Sequence, residues 1–117
     1  MRVAVGNYAG DGADNRAITG LGFQPDVVII KGGANNAVCR ADTITGDKDK
    51  PLIGAASMAA NQIQSLDTDG FTIGTHVLVN ASGTTYRYVA LEETTGELTT
   101  LSYTGDGADN RTITGAG

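Results

Sequence analysis

The chain contains no tryptophan, one cysteine, one histidine and two prolines among its 117 residues. The single cysteine, Cys39, excludes an intrachain disulfide, and its apolar neighbours favour a small buried residue over a reactive or metal-binding thiol. The single histidine, His76, precedes the run Val-Leu-Val and is better explained as a strand residue than as a general base. Neither Gly-x-Ser-x-Gly nor Gly-x-x-x-x-Gly-Lys occurs. We therefore predict that the protein is not an enzyme and that it uses no organic cofactor.

Long apolar runs and clusters of positive charge are also missing. No segment approaches the roughly 18 apolar residues of a membrane helix, and the start MRVAVGNY lacks the apolar core of a signal peptide. Export, if it occurs, would need a signal outside this chain or another route. The net charge is −5, and the eight lysines and arginines are scattered, which argues against a nucleic-acid partner. We predict neither membrane insertion nor nucleic-acid binding.

Residues that favour turns and strands are abundant. Glycine accounts for 17 residues, which indicates frequent tight turns, and Thr, Val, Ile and Tyr are typical of strands. About eight short alternating segments lie between turn signals. This spacing predicts an all-β fold, an antiparallel β-sandwich of jelly-roll-like type, because a parallel sheet would need crossover helices.

Several elements can be placed along the chain. The N-terminal segment RVAVGNY, the turn AGDGADN and a short strand around RAITG predict a hairpin, and IQSL-DTDG-FTIGTHVLVN predicts a second one, with Val77 and Val79 in its strand. The continuous β-branched run of residues 26–32 predicts a strand buried on both faces. The segment ELTTLSY predicts a last strand. The alanine-rich stretch at 56–64 predicts one short helix.

One segment occurs twice. Residues 8–22, YAGDGADNRAITGLG, return as residues 103–117, YTGDGADNRTITGAG, at an offset of 103 − 8 = 95, with only three differences. The differences are Ala9/Thr104, Ala17/Thr112 and Leu21/Ala116. So close a match indicates duplication. We predict a single β-sandwich repeat unit over residues 1–102. Residues 103–117 are then a duplicate of the N-terminal hairpin segment, either the start of a next repeat or an exchanged assembly strand.

Two stretches, residues 6–33 and 63–91, resemble a β-rich tandem repeat of bacterial surface proteins and of bacteriophage tail-fibre and virion-associated proteins. In that family a Tyr-x-Gly-(Asp/Asn)-Gly turn, an Arg-x-Ile strand and a Gly-Phe-Gln-Pro-Asp motif open each unit. Asp-Gly-Phe-Thr-(Ile/Val)-Gly, a Val-Asn-Ala-Ser-Gly turn and a Tyr-x-(Tyr/Trp) strand close it. The resemblance covers most of residues 6–91 and implies a module of a cell surface or virion, but it assigns no catalytic residues and is uninformative about chemistry.

The duplication suggests how such a module could join its neighbours. Two equivalent segments compete for one position in the fold, and the one that loses can dock on another copy of the chain. We therefore predict that the chain forms a homo-oligomer or polymer. The assembly would be a filament, a surface array or a virion appendage, and we expect it to be extracellular. The residues expected to carry this assembly are Tyr8, Asp11, Asp14, Asn15, Arg16 and Ile18, with their equivalents Tyr103, Asp106, Asp109, Asn110, Arg111 and Ile113.

Two ligand alternatives remain at this stage. The carboxylates of Asp11, Asp14, Asp106 and Asp109 could bind calcium, although Asp-Gly and Asp-Asn pairs are typical of structural turns, and DTDG and DKDK are weaker candidates. Arg16 is expected to pair with Asp11 or Asp14. A side-by-side pair, Tyr86 and Tyr88, could contact a surface glycan, which would make the protein an adhesive module. Cross-strand packing is the more common use of such a pair.

Overall fold

The computed structural model describes residues 1–54 and 56–116. Within these residues the chain forms eight strands and one single-turn helix, so the predicted all-β class is confirmed. In chain order the elements are β1 (Arg2–Ala9), β2 (Arg16–Thr19), β3 (Val27–Gly32), β4 (Val38–Ala41), β5 (Lys50–Pro51), β6 (Ile63–Asp67), β7 (Gly70–Ile73), α1 (Val77–Asn80) and β8 (Thr85–Glu92).

The strands form two antiparallel sheets. The larger sheet has the order β1-β8-β3-β4-β5 and the smaller has the order β2-β7-β6. The first and last strands lie side by side in one sheet, and β2 pairs with β7 in the other. Pairing between strands so distant in sequence joins the two ends of the domain, and the two sheets together form an antiparallel sandwich.

The core lies between the two sheets. Inward positions alternate along each strand, so that one face of each sheet supplies the apolar side chains. The larger sheet supplies bulky residues such as Ile30 and Tyr86, and the smaller sheet faces them with Ile63, Phe71 and Ile73, all of which have no exposed surface. The complete buried apolar set is Tyr8, Ile18, Phe23, Val28, Ile30, Val38, Ile63, Phe71, Ile73, Val79, Tyr86 and Ala90.

The prediction of an N-terminal hairpin is wrong. The strands β1 and β2 belong to different sheets, so the AGDGADN segment crosses from one sheet to the other and does not fold β1 back on β2. Instead, β1 pairs with β8 and β2 pairs with β7. The second predicted hairpin is confirmed: β6 pairs with β7 around the turn that ends at the Asp67–Gly70 pair.

The helix also lies elsewhere than predicted. Residues 56–64 contain no helix: Ala59 exchanges two backbone hydrogen bonds of 2.9 Å with Asp49, and β6 begins at Ile63. The single helical turn is α1, in the run Val-Leu-Val-Asn that β-propensity assigns to a strand. His76 begins this turn, since its Nδ1 accepts the N–H of Leu78 at 3.1 Å.

Tyrosine hydroxyls hold the same helical turn in place. Tyr8 donates its O–H to the carbonyl of Val79 at 2.8 Å, and Tyr86 donates to the carbonyl of Val77. These bonds satisfy backbone acceptors that a single turn leaves open. Tertiary contacts therefore outweigh the weak local preference of this segment.

Two further expectations are corrected. The β3 strand is buried on its inward side only, since Ile29 and Lys31 point outward and are exposed. The segment ELTTLSY forms no strand, and every described residue from 101 to 116 is exposed. In the described part of the chain, no helix has the length and hydropathy needed to span a membrane.

Candidate assembly site

The N-terminal copy of the duplicated segment, residues 8–22, lies along one edge of the sandwich. Its first residues end β1, the edge strand of the larger sheet, and its later residues form β2, the edge strand of the smaller sheet. In each sheet the copy is bound on one side only, by β8 in the larger sheet and by β7 in the smaller sheet. Its removal would therefore leave the remaining strand order of both sheets intact.

Tyr8 fixes the start of this copy. Its ring stacks on Tyr86 with centroids 5.4 Å apart and planes 19° apart, a geometry worth about 0.5–1.5 kcal/mol beyond the area buried. Tyr8 is 8% exposed, and burial raises the pKa of its hydroxyl above the ordinary range. The hydroxyl therefore stays protonated and donates to the carbonyl of Val79.

The turn of the copy is held by Asn80, whose side chain is fully buried. The Asn80 Oδ1 accepts from the backbone N–H of Asp11 at 3.0 Å and from Arg16 Nη1 at 3.2 Å. Its Nδ2 donates to the carbonyl of Ala13 at 2.7 Å and to Asp11 Oδ1 at 3.2 Å. The backbone carbonyl of Asn80 accepts from Gly12 at 2.8 Å. One buried amide therefore binds the turn at several points.

The end of the copy is held by Asp69 and β7. The Asp69 carboxylate accepts the backbone N–H of Gly22 at 2.6 Å and of Gly20 at 3.0 Å. Between the turn and this end, Ile18 pairs with Phe71 across the two strands. We call the residues that receive the N-terminal copy the edge slot: Asp69, Phe71, Val79, Asn80, Ala81 and Tyr86.

The edge slot also sets a steric requirement on the copy. A Cβ atom at Gly10 would lie 2.1 Å from the backbone carbonyl oxygen of Ala81, which is far inside van der Waals contact. The Gly10 backbone bonds to Thr84 and Gly83 and so holds this close approach. The slot therefore accepts only glycine at this position of the copy.

The acidic residues of the copy stabilise the turn. Asp11 Oδ1 accepts the N–H of Ala13 at 2.9 Å, and this bond is the main reason why the pKa of Asp11 is lowered. Asp14 accepts the N–H of Asn15, whose φ of 52° is tolerated by asparagine. The predicted ion pair joins Arg16 to Asp11 at 3.4 Å. In residues 1–54 and 56–116 no group of three His, Cys, Asp or Glu side chains is arranged to hold a metal ion.

The C-terminal copy has the same local conformation without an edge slot around it. Asn110 has φ 54°, Asp106 Oδ1 accepts the N–H of Ala108 at 2.9 Å, and Asp109 Oδ1 accepts that of Asn110 at 2.9 Å. Arg111 lies 3.4 Å from Asp106, as Arg16 does from Asp11. The turn is therefore encoded within the segment.

The two copies differ sharply in burial. Tyr8 and Ile18 are 8% and 9% exposed, whereas their equivalents Tyr103 and Ile113 are 67% and 44% exposed. The guanidinium of Arg111 lies over the Tyr103 ring at 5.5 Å, which matches the 5.4 Å between Arg16 and Tyr8. The C-terminal copy thus presents, on the surface, a shape that the edge slot binds in the N-terminal copy.

The two-sheet body of the protein matches a family of domains. Residues 3–92, from β1 to the end of β8, match the domain of unknown function DUF7483. The chain belongs to the DUF7483 family. The matched residues of the DUF7483 domain include the whole edge slot and the N-terminal copy, and they end before the C-terminal copy begins. No curated protein and no solved structure showed a match to the chain.

The tyrosine pair that was considered for glycan binding faces the interior of the DUF7483 domain. Tyr86 has no exposed surface, and Tyr88 packs edge-on against Phe71 at 5.1 Å. Tyr86 is therefore closed to a sugar and stacks on Tyr8 across the strand pair, whereas Tyr88 is half-buried. A glycan contact stays a prediction for Tyr88. Sequence reasoning did not identify the slot: its main polar residues, Asn80 and Asp69, were not assigned to it, and DTDG was considered only as a weak calcium candidate. Their only signal was their place in the turns VNAS and DTDG.

Proposed function

We propose that the protein is a self-assembling structural subunit of an extracellular filament, surface array or virion appendage. In this assembly the C-terminal copy of one molecule occupies the edge slot of the next, and the N-terminal copy of the recipient is released. The contact is heterologous, so repetition gives a filament unless the rotation between subunits closes a ring. The slot lies at the edge of both sheets, so exchange requires only that the N-terminal arm of the recipient dissociate from β8 and β7.

Gly105 is the observation that carries this proposal. It is the equivalent of Gly10, but a Cβ at Gly105 would meet nothing within 4 Å, and its φ is not positive. Its own surroundings therefore do not require glycine. An edge slot does require it, because the carbonyl of Ala81 leaves no room for a side chain. The glycine at 105 is explained if this copy docks in such a slot.

The two copies are close competitors within the slot. Leu21 packs against the core and is half-buried, so Ala116 in its place would lose about 1–2 kcal/mol, less than the about 2–5 of a fully buried leucine. Thr104 and Thr112 replace the exposed alanines at 9 and 17 and favour the strand by a few tenths of a kcal/mol. The intramolecular copy is therefore favoured by a modest margin.

The residues that precede the two copies are not equivalent. Position 101 carries leucine where β1 has Gly6, and a Cβ at Gly6 would lie 2.5 Å from the Tyr88 hydroxyl oxygen. A docked Leu101 must therefore push the Tyr88 ring aside, which adds about 1–3 kcal/mol to the cost of exchange. Exchange between molecules should consequently require high protein concentration, as expected of a polymer whose subunits are stable alone.

The test substitutes alanine at Gly105 in the full chain. The matched control is Gly54→Ala, because Gly54 also lies in open space and outside both copies. Sedimentation and negative-stain electron microscopy over a range of concentrations should show head-to-tail polymers for the wild type and for G54A, but not for G105A. Thermal midpoints of the three proteins should agree. If G105A polymerises as well as the wild type, the exchange proposal is wrong.

A further inference from the structure

The outward face of the larger sheet is an unusually apolar surface. Cross-strand pairing places its side chains in two adjacent rows, and we call these eight residues the outer face. One row holds Val5, Val89, Ile29 and Cys39, and the next holds Val3, Leu91, Val27 and Ala41. The exposed fractions of Val5 and Val3 are 74% and 55%, and those of Val89 and Ile29 are 39% and 37%.

Such a surface is typical of an interface. Antiparallel sheets with one solvated side normally carry polar residues there, and monomeric proteins rarely expose contiguous apolar patches. The β3 run Val-Val-Ile-Ile has the composition of a strand buried on both sides, but only its inward side is covered within one molecule. The sequence therefore supplies the outer face with the side chains of a second core.

The charges around the outer face identify what covers it. At one end of the two apolar rows, Arg87 and Lys31 are paired across β8 and β3 and are exposed. At the other end Asp26, Asp42 and Glu93 line an open cleft of about 400 Å³. Along β8 the outward row thus runs from the basic Arg87 to the acidic Glu93, whose carboxylate accepts the backbone N–H groups of Thr95, Gly96 and Leu98, and this order of charges is complementary to itself after a half-turn.

We propose that the outer face binds the outer face of a second copy of this chain in a two-fold pair with opposed strand directions. Along β8, position 90 lies midway between Arg87 and Glu93 and also midway between Val89 and Leu91. A two-fold axis at this point stacks Val89 on the partner's Leu91, and it sets Arg87 close to the partner's Glu93. The opposite orientation would bring like charges together, which costs affinity.

This contact uses none of the residues of the edge slot, and six of the eight outer-face residues lie on β3, β4 and β8, which stay in place when the N-terminal arm is released. The N-terminal copy covers the edge of the sandwich, and its Tyr8 points to the inward side of β1, whereas Val3 and Val5 of the same strand point outward. Two sheets that pack face to face lie about 10 Å apart, so the outer faces can meet without disturbing either core. Pairing of outer faces would join two head-to-tail polymers side by side.

The experiment measures self-association of the full chain and of its G105A variant by sedimentation equilibrium. V89K places a charge in the centre of the outer face and should raise the dimer dissociation constant at least about tenfold, which corresponds to about 1.4 kcal/mol. The control V77K changes an apolar residue that is 51% exposed on α1 and should leave dimerisation unchanged. Circular dichroism and thermal midpoints verify that both variants are folded.

Arg87→Gln tests the orientation. With opposed strands this variant loses an attraction to the partner's Glu93 and dimerises more weakly. With parallel strands it removes a repulsion and dimerises more tightly, which would overturn the proposed arrangement. Equal dimerisation of V89K and the wild type would overturn the interface itself. G105A cannot dock its C-terminal copy in an edge slot. Dimers that form in G105A and are lost when V89K is added therefore depend on the outer face and not on the edge slot.

Discussion

Replacement of Asn80 by alanine tests how the body holds the turn of the N-terminal copy. The Asn80 side chain is fully buried and makes four hydrogen bonds, two to Asp11 and one each to Ala13 and Arg16. Asn80 is the last residue of α1, and its amide is hydrogen-bonded to the turn. The variant therefore removes the main polar contact between the body and the duplicated segment.

The expected loss follows from these contacts. A hydrogen bond contributes about 0.5–1.5 kcal/mol net to stability. The partners on the turn are exposed or half-buried, so water can solvate them once the amide is gone, and the lower part of that range applies to each bond. Four such bonds give a loss of about 2–3 kcal/mol in the free energy of unfolding, a shift of about 10 °C in the thermal midpoint.

Urea denaturation followed by circular dichroism measures the loss, and amide hydrogen exchange at Asp11 and Gly12 localises it. Asn36→Ala, at an exposed asparagine, is the matched control and should change stability by less than about 0.5 kcal/mol. N80D keeps the size of the side chain but removes both donors. It should be as destabilising at neutral pH and less so in acid, where the new carboxyl is protonated. An unfolding free energy for N80A within about 0.5 kcal/mol of the wild type would refute the reasoning.

Three further predictions follow from particular contacts. Gly10→Ala should cost at least about 2 kcal/mol in urea denaturation, because its Cβ would clash with backbone, whereas Gly105→Ala should leave stability unchanged; equal effects would contradict the assignment of the slot. The double variant Leu101→Gly with Ala116→Leu makes the C-terminal copy match the slot more closely and should increase the polymer fraction in sedimentation; an unchanged fraction would count against exchange. Burial raises the pKa of Asp49 to about 7, above its unfolded value, so the folded state binds the extra proton and unfolding free energy should fall as pH rises from about 4 to 7. Asp49→Asn should flatten this decline in urea titrations, and a decline of the same size in both proteins would exclude Asp49 as its source.

Much of the fold could be predicted from the sequence. The continuous β-branched run identified β3, and the alternating segments around DTDG identified the β6–β7 hairpin, because these patterns are local properties of the chain. The wrong predictions concern segments whose hydrogen-bonding partners lie far away in the sequence. Residues 77–80 have the composition of a strand and form a helical turn, since His76, Tyr8 and Tyr86 supply the hydrogen bonds that hold it.

The candidate site shows the same division. The duplication identified residues 8–22 and 103–117, and the turn chemistry of Asp11 and Asp14 followed from residue types alone. Asn80 and Asp69 were missed, because neither a motif nor a periodicity reveals which buried polar side chain will lie beneath a turn 69 or 47 residues away. The sequence indicated the outer face only in part. The β3 run predicted burial on both sides of the strand, and in the structure only the inward side is covered.

The sequence by itself determined the β content, the duplicated segment and the local shape of its turn, and both copies adopt that shape with φ of 52° and 54° at Asn15 and Asn110. Only the tertiary structure decided that one copy is packed and the other is exposed, and that glycine is sterically required at 10 but not at 105. The physical reason is that a turn is stabilised by neighbours in sequence, whereas a slot is made by residues brought together from β7, α1 and β8.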